Sequence, residues 1–354
     1  MLPNNRATKT LSTILMDQKG TISIPQSLLD AYFFRLPRAY HYADYIWPGL
    51  LISKERIEAI QNFKFKPSDI LICSYPKSGT TWVSEVVSMI VNKGDSEKVK
   101  GTPLHERVPW LELDQRFVWV RFFWIWQVVS KVLGLKPAEK AIEYDGDSDE
   151  VDIDESPDEP GRIWFCHLPI ELLPKRALHG GCKIVYISRN PKDNAVSFFH
   201  FHQMARFLGQ QKTTWNEFFS LYTAGKIYCG SWFEHVLGFH SLSKINPNVI
   251  FLKYEDMKKN FHEETGKLAS FLGVDLDAEA LDRIAGHCSF DEMKDNKMVN
   301  REGVWLFNHK VSHFMRKGTV GDWKNYFTVS QSELFDQVYE SQMKHSGLHY
   351  DFAL

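Results

Sequence analysis

One stretch near residue 75 restricts the fold of this chain more than any other. A short apolar run at 70–73 precedes a turn that contains Pro76 and Gly79, and apolar residues then recur at helical spacing over 82–91. Strand, turn and helix in this order can form a phosphate cradle, because free backbone N–H groups and the helix dipole both attract an anion. Taken alone, an ordinary strand–turn–helix with a surface lysine explains the pattern equally well.

Side chains in the turn are suited to binding an anion. Lys77 carries a positive charge, and Ser78, Thr80 and Thr81 add hydroxyl donors. The order differs from a Walker A motif, in which the lysine follows the second glycine, because Lys77 precedes Gly79 here. No carboxylate is suitably spaced to hold Mg²⁺. We therefore expect a phosphate site that binds no metal.

Strand and helix patterns alternate along the rest of the chain. Buried strands are predicted at 70–73, 162–166, 182–188 and 249–254, and helices at 53–62, 215–226, 232–243, 261–272 and 278–287. This alternation predicts an α/β fold: a single domain with a central parallel sheet flanked by helices. Ligands bind at the carboxyl ends of strands in such sheets, which is where Lys77, His167, Arg189 and Tyr254 fall.

Composition excludes several classes of protein. A net charge of −2 over 354 residues gives no field that favours nucleic acid or an anionic membrane. Five scattered cysteines with no C-x-x-C pair are typical of reduced thiols in an intracellular protein. The N-terminus has no apolar signal segment, so we expect a cytoplasmic location; a mitochondrial presequence is the less favoured alternative.

The segment from 113 to 161 differs from the rest. Residues 117–135 are rich in aromatic side chains, but Arg121, Gln127 and Lys131 interrupt a span barely long enough to cross a bilayer. We expect no transmembrane segment; the alternatives are an amphipathic helix over a hydrophobic site, one at a membrane surface, or one packed on the domain. Residues 143–159 hold ten acids and no base, which is typical of a solvated, mobile loop.

Three motifs together resemble the cytosolic sulfotransferases. Y-P-K-S-G-T-T-W at 75–82 resembles the family's 5′-phosphosulfate loop, R-N-P-K-D at 189–193 with A-V-S at 195–197 its 3′-phosphate site, and R-K-G at 316–318 its C-terminal anion segment. The resemblance implies transfer of a sulfuryl group from 3′-phosphoadenosine-5′-phosphosulfate (PAPS), without a metal. The released product is then adenosine 3′,5′-bisphosphate (PAP).

The same resemblance implies a role for each site residue. His167, in the H-L-P motif, is the expected general base, because imidazole titrates in the range that base catalysis needs. Lys77 is expected to stabilise the transferring group as a second catalytic residue. The residues expected to bind PAPS are Lys77, Ser78, Gly79, Thr80, Thr81, Trp82, Arg189, Ser197, Tyr254, Cys288, Phe290, Arg316, Lys317 and Gly318.

One departure from the family pattern bears on activity. The family reads K-[ST]-H-L-P where this chain reads F-C-H-L-P, so Phe165 replaces a lysine that helps to hold the leaving oxygen. Losing such a cation costs on the order of 10²–10³ in turnover. A slow enzyme, an enzyme in which Lys77 alone has this role, and a PAPS-binding pseudoenzyme all remain open. A P-loop kinase is the other rival class.

The resemblance also implies the organisation of the chain. Residues 1–45 are expected to form an N-terminal extension and 46–354 a sulfotransferase domain, with an inserted lid or acidic loop at about 113–161 as in an insect-like member. The aromatic-rich insertion favours a small hydrophobic acceptor such as a phenol, sterol, retinoid or other alcohol. K-x-x-x-T-V-x-x-x-E from Lys324 to Glu333 matches the family's dimer motif and implies a homodimer.

Overall fold

A computed structural model of the protein describes residues 15–16, 22–113, 161–210 and 212–354. Two antiparallel hairpins come first: β1 (Leu15–Met16) pairs with β2 (Ile22–Ser23), and β3 (Tyr40–Tyr42) pairs with β4 (Tyr45–Trp47). Helix α1 (Gln26–Arg35) lies between them in the chain. Nearly all of the predicted insertion at 113–161 lies outside the described residues.

The central sheet is fully parallel. Its strands are β5 (Ile70–Cys73), β6 (Ile163–Cys166), β7 (Lys183–Ser188) and β8 (Val249–Lys253), in the order β6-β5-β7-β8. The predicted α/β fold is therefore confirmed, and all four strand predictions differ by a single terminal residue or none. The fourth, at 249–254, ends earlier because Tyr254 begins a helix.

Helices cover the sheet, and the predicted helices are present with small differences at their ends. Asn190 caps the helix at Pro191 as expected, since its Oδ1 accepts a hydrogen bond of 2.9 Å from the Asp193 backbone N–H. The helices after α1 are α2 (Lys54–Ile60), α3 (Thr80–Val91), α4 (Leu104–Arg107), α5 (Pro191–Met204), α6 (Trp215–Thr223), α7 (Trp232–Ile245), α8 (Tyr254–Lys259), α9 (Phe261–Leu272), α10 (Ala278–His287), α11 (Phe290–Asp295) and α12 (Val329–Met343).

Each face of the sheet has its own core. Alternate residues of β5 point to opposite faces, so Leu71 and Cys73 join one cluster while Ile70 and Ile72 join the other. Residues 22–45, which the sequence assigned to an extension, contribute to the first cluster. There Tyr32 is buried, and its hydroxyl contacts Nε2 of His202 at 3.1 Å.

Two further properties concern the described residues alone. All five cysteines are buried and free, and the Sγ atoms of Cys73 and Cys166 lie 3.4 Å apart on neighbouring strands. No helix in these parts of the chain is long and apolar enough to cross a membrane.

Candidate active site

A cavity of about 400 Å³ opens at the carboxyl edge of the sheet. The register aligns the end of β5 with that of β6, because Cys73 pairs with Cys166, and the end of β7 with that of β8, because Ser188 pairs with Lys253. The residues that follow these strands therefore meet in one place. The predicted site residues that line the cavity are Lys77, Gly79, Thr80, Thr81, Trp82, His167, Arg189, Ser197, Tyr254, Cys288, Phe290, Arg316, Lys317 and Gly318.

Ser78 is the predicted site residue that does not line this cavity. Its side chain is buried, and its Oγ receives a hydrogen bond of 3.1 Å from Nδ2 of Asn194 on α5. The same amide group donates to the carbonyl oxygen of Pro76 at 2.8 Å. The Ser78 side chain therefore holds the phosphate loop against α5, while the loop's other groups remain available to an anion.

Lys77 lies between aromatic rings inside the cavity. Its Nζ is 4.3 Å from the ring centroid of Phe314 and 4.5 Å from that of Phe201. Burial lowers the pKa of Lys77 to about 7, and the charges of Arg189, Arg301 and Arg316 add to the effect. No carboxylate of the described residues pairs with this amine. A bound anion would supply the missing counter-charge and restore the protonated form.

Arg189 is a second cation beside the phosphate loop. Arg189 donates to the carbonyl oxygen of Thr319 at 2.7 Å, and its guanidinium lies 4.5 Å from the Tyr254 ring centroid. The Nε atom of Arg189 is buried without a hydrogen-bond partner. A buried donor that lacks a partner is costly, and a phosphate oxygen is a suitable acceptor for it. Arg189 is therefore able to hold a phosphate group.

The carboxylate of Asp193 links Arg189 to the chain that directly follows the R-K-G segment. It accepts hydrogen bonds from the backbone N–H groups of Gly321 at 2.7 Å and Trp323 at 2.9 Å. Arg316 and Lys317 both contact Asp322, at 2.5 Å and 2.6 Å. Two cations shared by one carboxylate leave a surplus positive charge on the lining of the cavity.

An aromatic slot adjoins the cations. Trp82 stacks on Phe261 with 5.7 Å between ring centroids and meets the edge of Tyr254 at 5.2 Å. Its Nε1 donates to the carbonyl oxygen of Cys288 at 2.9 Å, which fixes the indole plane. Phe290 also lines the cavity. Flat apolar groups beside a phosphate site suit a purine ring.

His167 is oriented by the end of β5. Its Nδ1 lies 2.8 Å from the carbonyl oxygen of Ser74, and because a carbonyl only accepts, Nδ1 carries the proton. The Nε2 atom then has the free lone pair of a base. Burial, together with the charges of Lys77 and Arg301, lowers the pKa of His167 to about 4, although the Ser74 hydrogen bond opposes the shift.

Two groups that hold His167 were missed at the sequence level. The buried carboxylate of Glu112 accepts from the His167 backbone N–H, and burial raises the pKa of Glu112 to about 7. His235 contacts the His167 carbonyl oxygen through Nε2 at 3.3 Å and the Tyr186 hydroxyl through Nδ1 at 2.8 Å. The R-V-P-W-L-E segment at 107–112, which ends in Glu112, could have indicated that residue from the sequence. No sequence motif indicates His235.

The other half of the cavity is aromatic. Phe165 stacks on Trp110 with 5.8 Å between ring centroids and lies beside His167 at 5.6 Å. Arg301 also lines this half, on a loop for which the sequence offered no motif. Further rings complete the wall: Phe201, Phe207, Phe307 and Phe314.

A phosphate loop, a cluster of cations and a fixed histidine base around one cavity define an α/β transferase that uses a nucleotide co-substrate. Residues 67–347 match the family model of the sulfotransferase domain. The chain belongs to the cytosolic sulfotransferase family, and it is a PAPS-dependent sulfotransferase of small acceptors. Membership agrees with the cytoplasmic location that the sequence predicted.

Two curated relatives illustrate the similarity. The chain is 40% identical over 297 residues to sulfotransferase 1C2 of Rattus norvegicus, covering 83% of this chain and 90% of the relative. It is 40% identical over 295 residues to sulfotransferase 1B1 of Mus musculus, covering 83% of this chain and 88% of the relative.

Solved structures show the same fold. A crystal structure of retinol dehydratase in complex with androsterone and the inactive cofactor PAP has a TM-score of 0.73 at 25% identity, covering 92% of this chain and 95% of that one. Mouse sulfotransferase SULT7A1 complexed with PAP has a TM-score of 0.63 at 31% identity, covering 87% of this chain and 95% of that one.

Proposed function

We propose that His167 and Lys77 carry out sulfuryl transfer from PAPS to a hydroxyl group of a small hydrophobic acceptor. The observation that carries this proposal is the hydrogen bond between Nδ1 of His167 and the Ser74 carbonyl oxygen, because it leaves Nε2 as a base inside the cavity. When bound, PAPS supplies the sulfuryl group and PAP leaves. His167 Nε2 takes the acceptor's hydroxyl proton as that oxygen bonds to sulfur.

Lys77 supports the same step from the phosphate loop. As the bond from sulfur to PAP breaks, negative charge develops on the departing oxygen, and a cation nearby stabilises it. The aromatic rings around the Lys77 amine exclude water and strengthen that interaction. His167 stays neutral above a pH of about 4 in the free protein, so at neutral pH it is ready to accept a proton.

The residues that bind the donor can be grouped by the part of PAPS that each one contacts. The phosphate loop contributes backbone N–H groups and hydroxyls to the 5′ end, with the buried Ser78 side chain holding the loop in shape. We assign Lys77, Gly79, Thr80 and Thr81 to the phosphosulfate, Arg189, Ser197, Arg316, Lys317 and Gly318 to the 3′-phosphate, and Trp82, Tyr254, Cys288 and Phe290 to the adenine.

The aromatic half of the cavity supports a hydrophobic acceptor: a phenol, a sterol, a retinoid or another alcohol. The structure of a retinol dehydratase that aligns over 92% of this chain contains androsterone and PAP. We assign the chain as an insect-like member with an insertion at about 113–161. We propose that the insertion serves as a lid over the acceptor.

Two finer assignments complete the proposal. The chain divides into an extension at 1–45 and a sulfotransferase domain at 46–354, although residues 22–45 pack on the domain's core. The protein forms a homodimer through Lys324–Glu333. In this motif Thr328 caps α12 and Val329 begins it, and Val329 is 75% exposed, as a residue that contacts a second copy requires.

The direct test combines the purified protein with PAPS and a panel of phenols and alcohols, and measures PAP release. We expect PAP to form only when protein and an accepted hydroxyl compound are both present. The replacement of the family's lysine by Phe165 motivates the alternative, a protein that binds PAPS without turnover. Tight PAP binding without product from any acceptor would favour that alternative.

A further inference from the structure

Arg301 is a cation in the aromatic half of the cavity. The carbon at the centre of its guanidinium lies 5.6 Å from the ring centroid of Phe314 and 5.9 Å from that of Phe165. Within the described residues, the guanidinium makes no ion pair and no hydrogen bond. Burial lowers the pKa of Arg301 to about 10, so the group remains charged at neutral pH.

The turn that carries Arg301 is fixed by hydrogen bonds. The Arg301 backbone has φ of 59°, a left-handed conformation that is uncommon outside glycine. Its carbonyl oxygen accepts from the Val304 backbone N–H at 3.2 Å and from Nε2 of His309 at 3.1 Å. The neighbouring Asn300 accepts from the Glu302 backbone N–H at 2.8 Å. The guanidinium therefore extends into the cavity from a defined base.

Arg189, Arg316 and Lys317 line the same cavity but have different surroundings, whereas Lys77 shares the Phe314 ring with Arg301. Arg189 donates to Thr319, and Arg316 and Lys317 contact Asp322, beside the aromatic slot and the phosphate loop. Arg301 instead lies against the rings of Phe165 and Phe314. A charge that loses water to apolar walls needs a counter-charge, and here the ligand must bring it.

We propose that Arg301 binds a carboxylate on the acceptor, so that the preferred acceptors are apolar hydroxy acids. This inference rests on the proposed sulfuryl transfer and names its acceptor class. The Phe165 ring lies 5.6 Å from the His167 ring and 5.9 Å from the Arg301 guanidinium carbon. An acceptor stacked over Phe165 can therefore present a hydroxyl to His167 and a carboxylate to Arg301, whose planar fork matches that anion.

The test compares two acceptors that differ only in charge: 4-hydroxyphenylacetate and its neutral amide, 4-hydroxyphenylacetamide. We expect the protein to favour the acid by roughly 10- to 100-fold in kcat/KM, the range expected when a charged hydrogen-bonded pair is removed. Arg301→Met keeps the apolar stem and Cβ but removes the charge, and it should abolish the preference. Arg301→Lys should keep part of it.

Lys310→Met is the matched control, because it removes an exposed positive charge nine residues along the same segment. It should leave the ratio for acid and amide unchanged. Calorimetric titration of both acceptors into the protein saturated with PAP gives a readout that needs no turnover. There too, the acid should bind more tightly than the amide, and only the Arg301 variants should reduce the difference.

Two outcomes would overturn the inference while the proposed sulfotransferase activity stands. One is a parent protein that turns over and binds the amide as well as the acid. The other is an Arg301→Met variant that loses turnover equally with both acceptors, which would give Arg301 a role in the transfer step. Failure of the proposed function is distinct: no acceptor of the panel would release PAP.

Discussion

Nδ1 of His167 lies 2.8 Å from the carbonyl oxygen of Ser74, so the end of one strand orients the base at the end of its neighbour. Parallel pairing of Cys73 with Cys166 brings the two residues together, because each directly follows one member of that pair. Ser74 also contacts Thr80 through its hydroxyl at 2.7 Å. The phosphate loop and the base are therefore positioned by the same few residues.

Replacing His167 should separate chemistry from donor binding. His167→Ala removes the proton acceptor, so we expect kcat to fall by about 10²- to 10⁴-fold. The affinity for PAP, measured by calorimetry, should remain close to that of the parent, since the cations and the aromatic slot are untouched. His262→Ala is the control, because His262 is exposed on α9. Unchanged turnover in His167→Ala would remove His167 from the role of base.

Gly318 should tolerate no side chain. Its φ is 64°, and a Cβ would come within 2.2 Å of the Phe290 ring, at the edge of the cavity. We expect Gly318→Ala to weaken PAP binding by at least the tenfold that about 1.4 kcal/mol represents. Gly347→Ala has a similar φ of 68° with no atom within 4 Å of the added Cβ, so it isolates the backbone cost. Equal PAP affinity in the two variants would contradict this explanation.

Acidification should destabilise the protein through its buried histidines. Burial lowers the pKa of His167 and His202 to about 4 and of His235 to about 3. Between the ordinary value near 6.5 and these values, the unfolded chain binds protons that the folded protein does not, so stability falls as pH falls. Glu112 and Glu255, with pKa values raised to about 7 by burial, oppose this only in part.

His202 offers a way to measure how much one buried histidine contributes to the loss of stability at low pH. Its Nε2 contacts the Tyr32 hydroxyl and its Nδ1 the Phe198 carbonyl oxygen, and a glutamine can replace both contacts without titrating. The free energy of unfolding, measured with urea, should therefore fall from pH 7 to pH 5 in the parent protein. In His202→Gln this fall should be smaller by about 2 kcal/mol. A loss of equal size in parent and variant would show that His202 does not contribute.

The proposed dimer contact at 324–333 can be tested by introducing a charged residue. Val329→Glu places an acid at the first position of α12, which the helix dipole favours, so the fold should be kept while an apolar contact is lost. Analytical ultracentrifugation should find a dimer for the parent and a monomer for this variant. Ile245→Glu changes another highly exposed apolar residue and should remain dimeric. A monomeric parent would end the dimer proposal.

Much of the fold could be predicted because short-range patterns specify it. The apolar run at 70–73 and the Asn190 cap before Pro191 are local signals, and the structure contains both elements. The edge of the sheet on which Lys77, His167 and Arg189 meet follows from parallel topology alone.

The features of the site that the sequence could not predict depend on the conformation of loops and turns. Arg301 reaches the cavity from a turn whose direction is set by its contacts with Val304 and His309. Ser78 looked like a ligand-binding hydroxyl, but its side chain is turned inward by Asn194, more than a hundred residues away. Such contacts are long-range, and no local periodicity encodes them.

The central claim is that residues far apart in sequence hold both anionic ends of one donor molecule. Calorimetric titration of PAP in the presence of EDTA tests it most directly, with Arg189→Met as the variant and the half-exposed Arg283→Met as control. We expect one site per chain, with affinity lowered roughly 10- to 100-fold in Arg189→Met and unchanged in Arg283→Met. The absence of PAP binding by the parent protein, or equal affinity in all three proteins, would contradict the account.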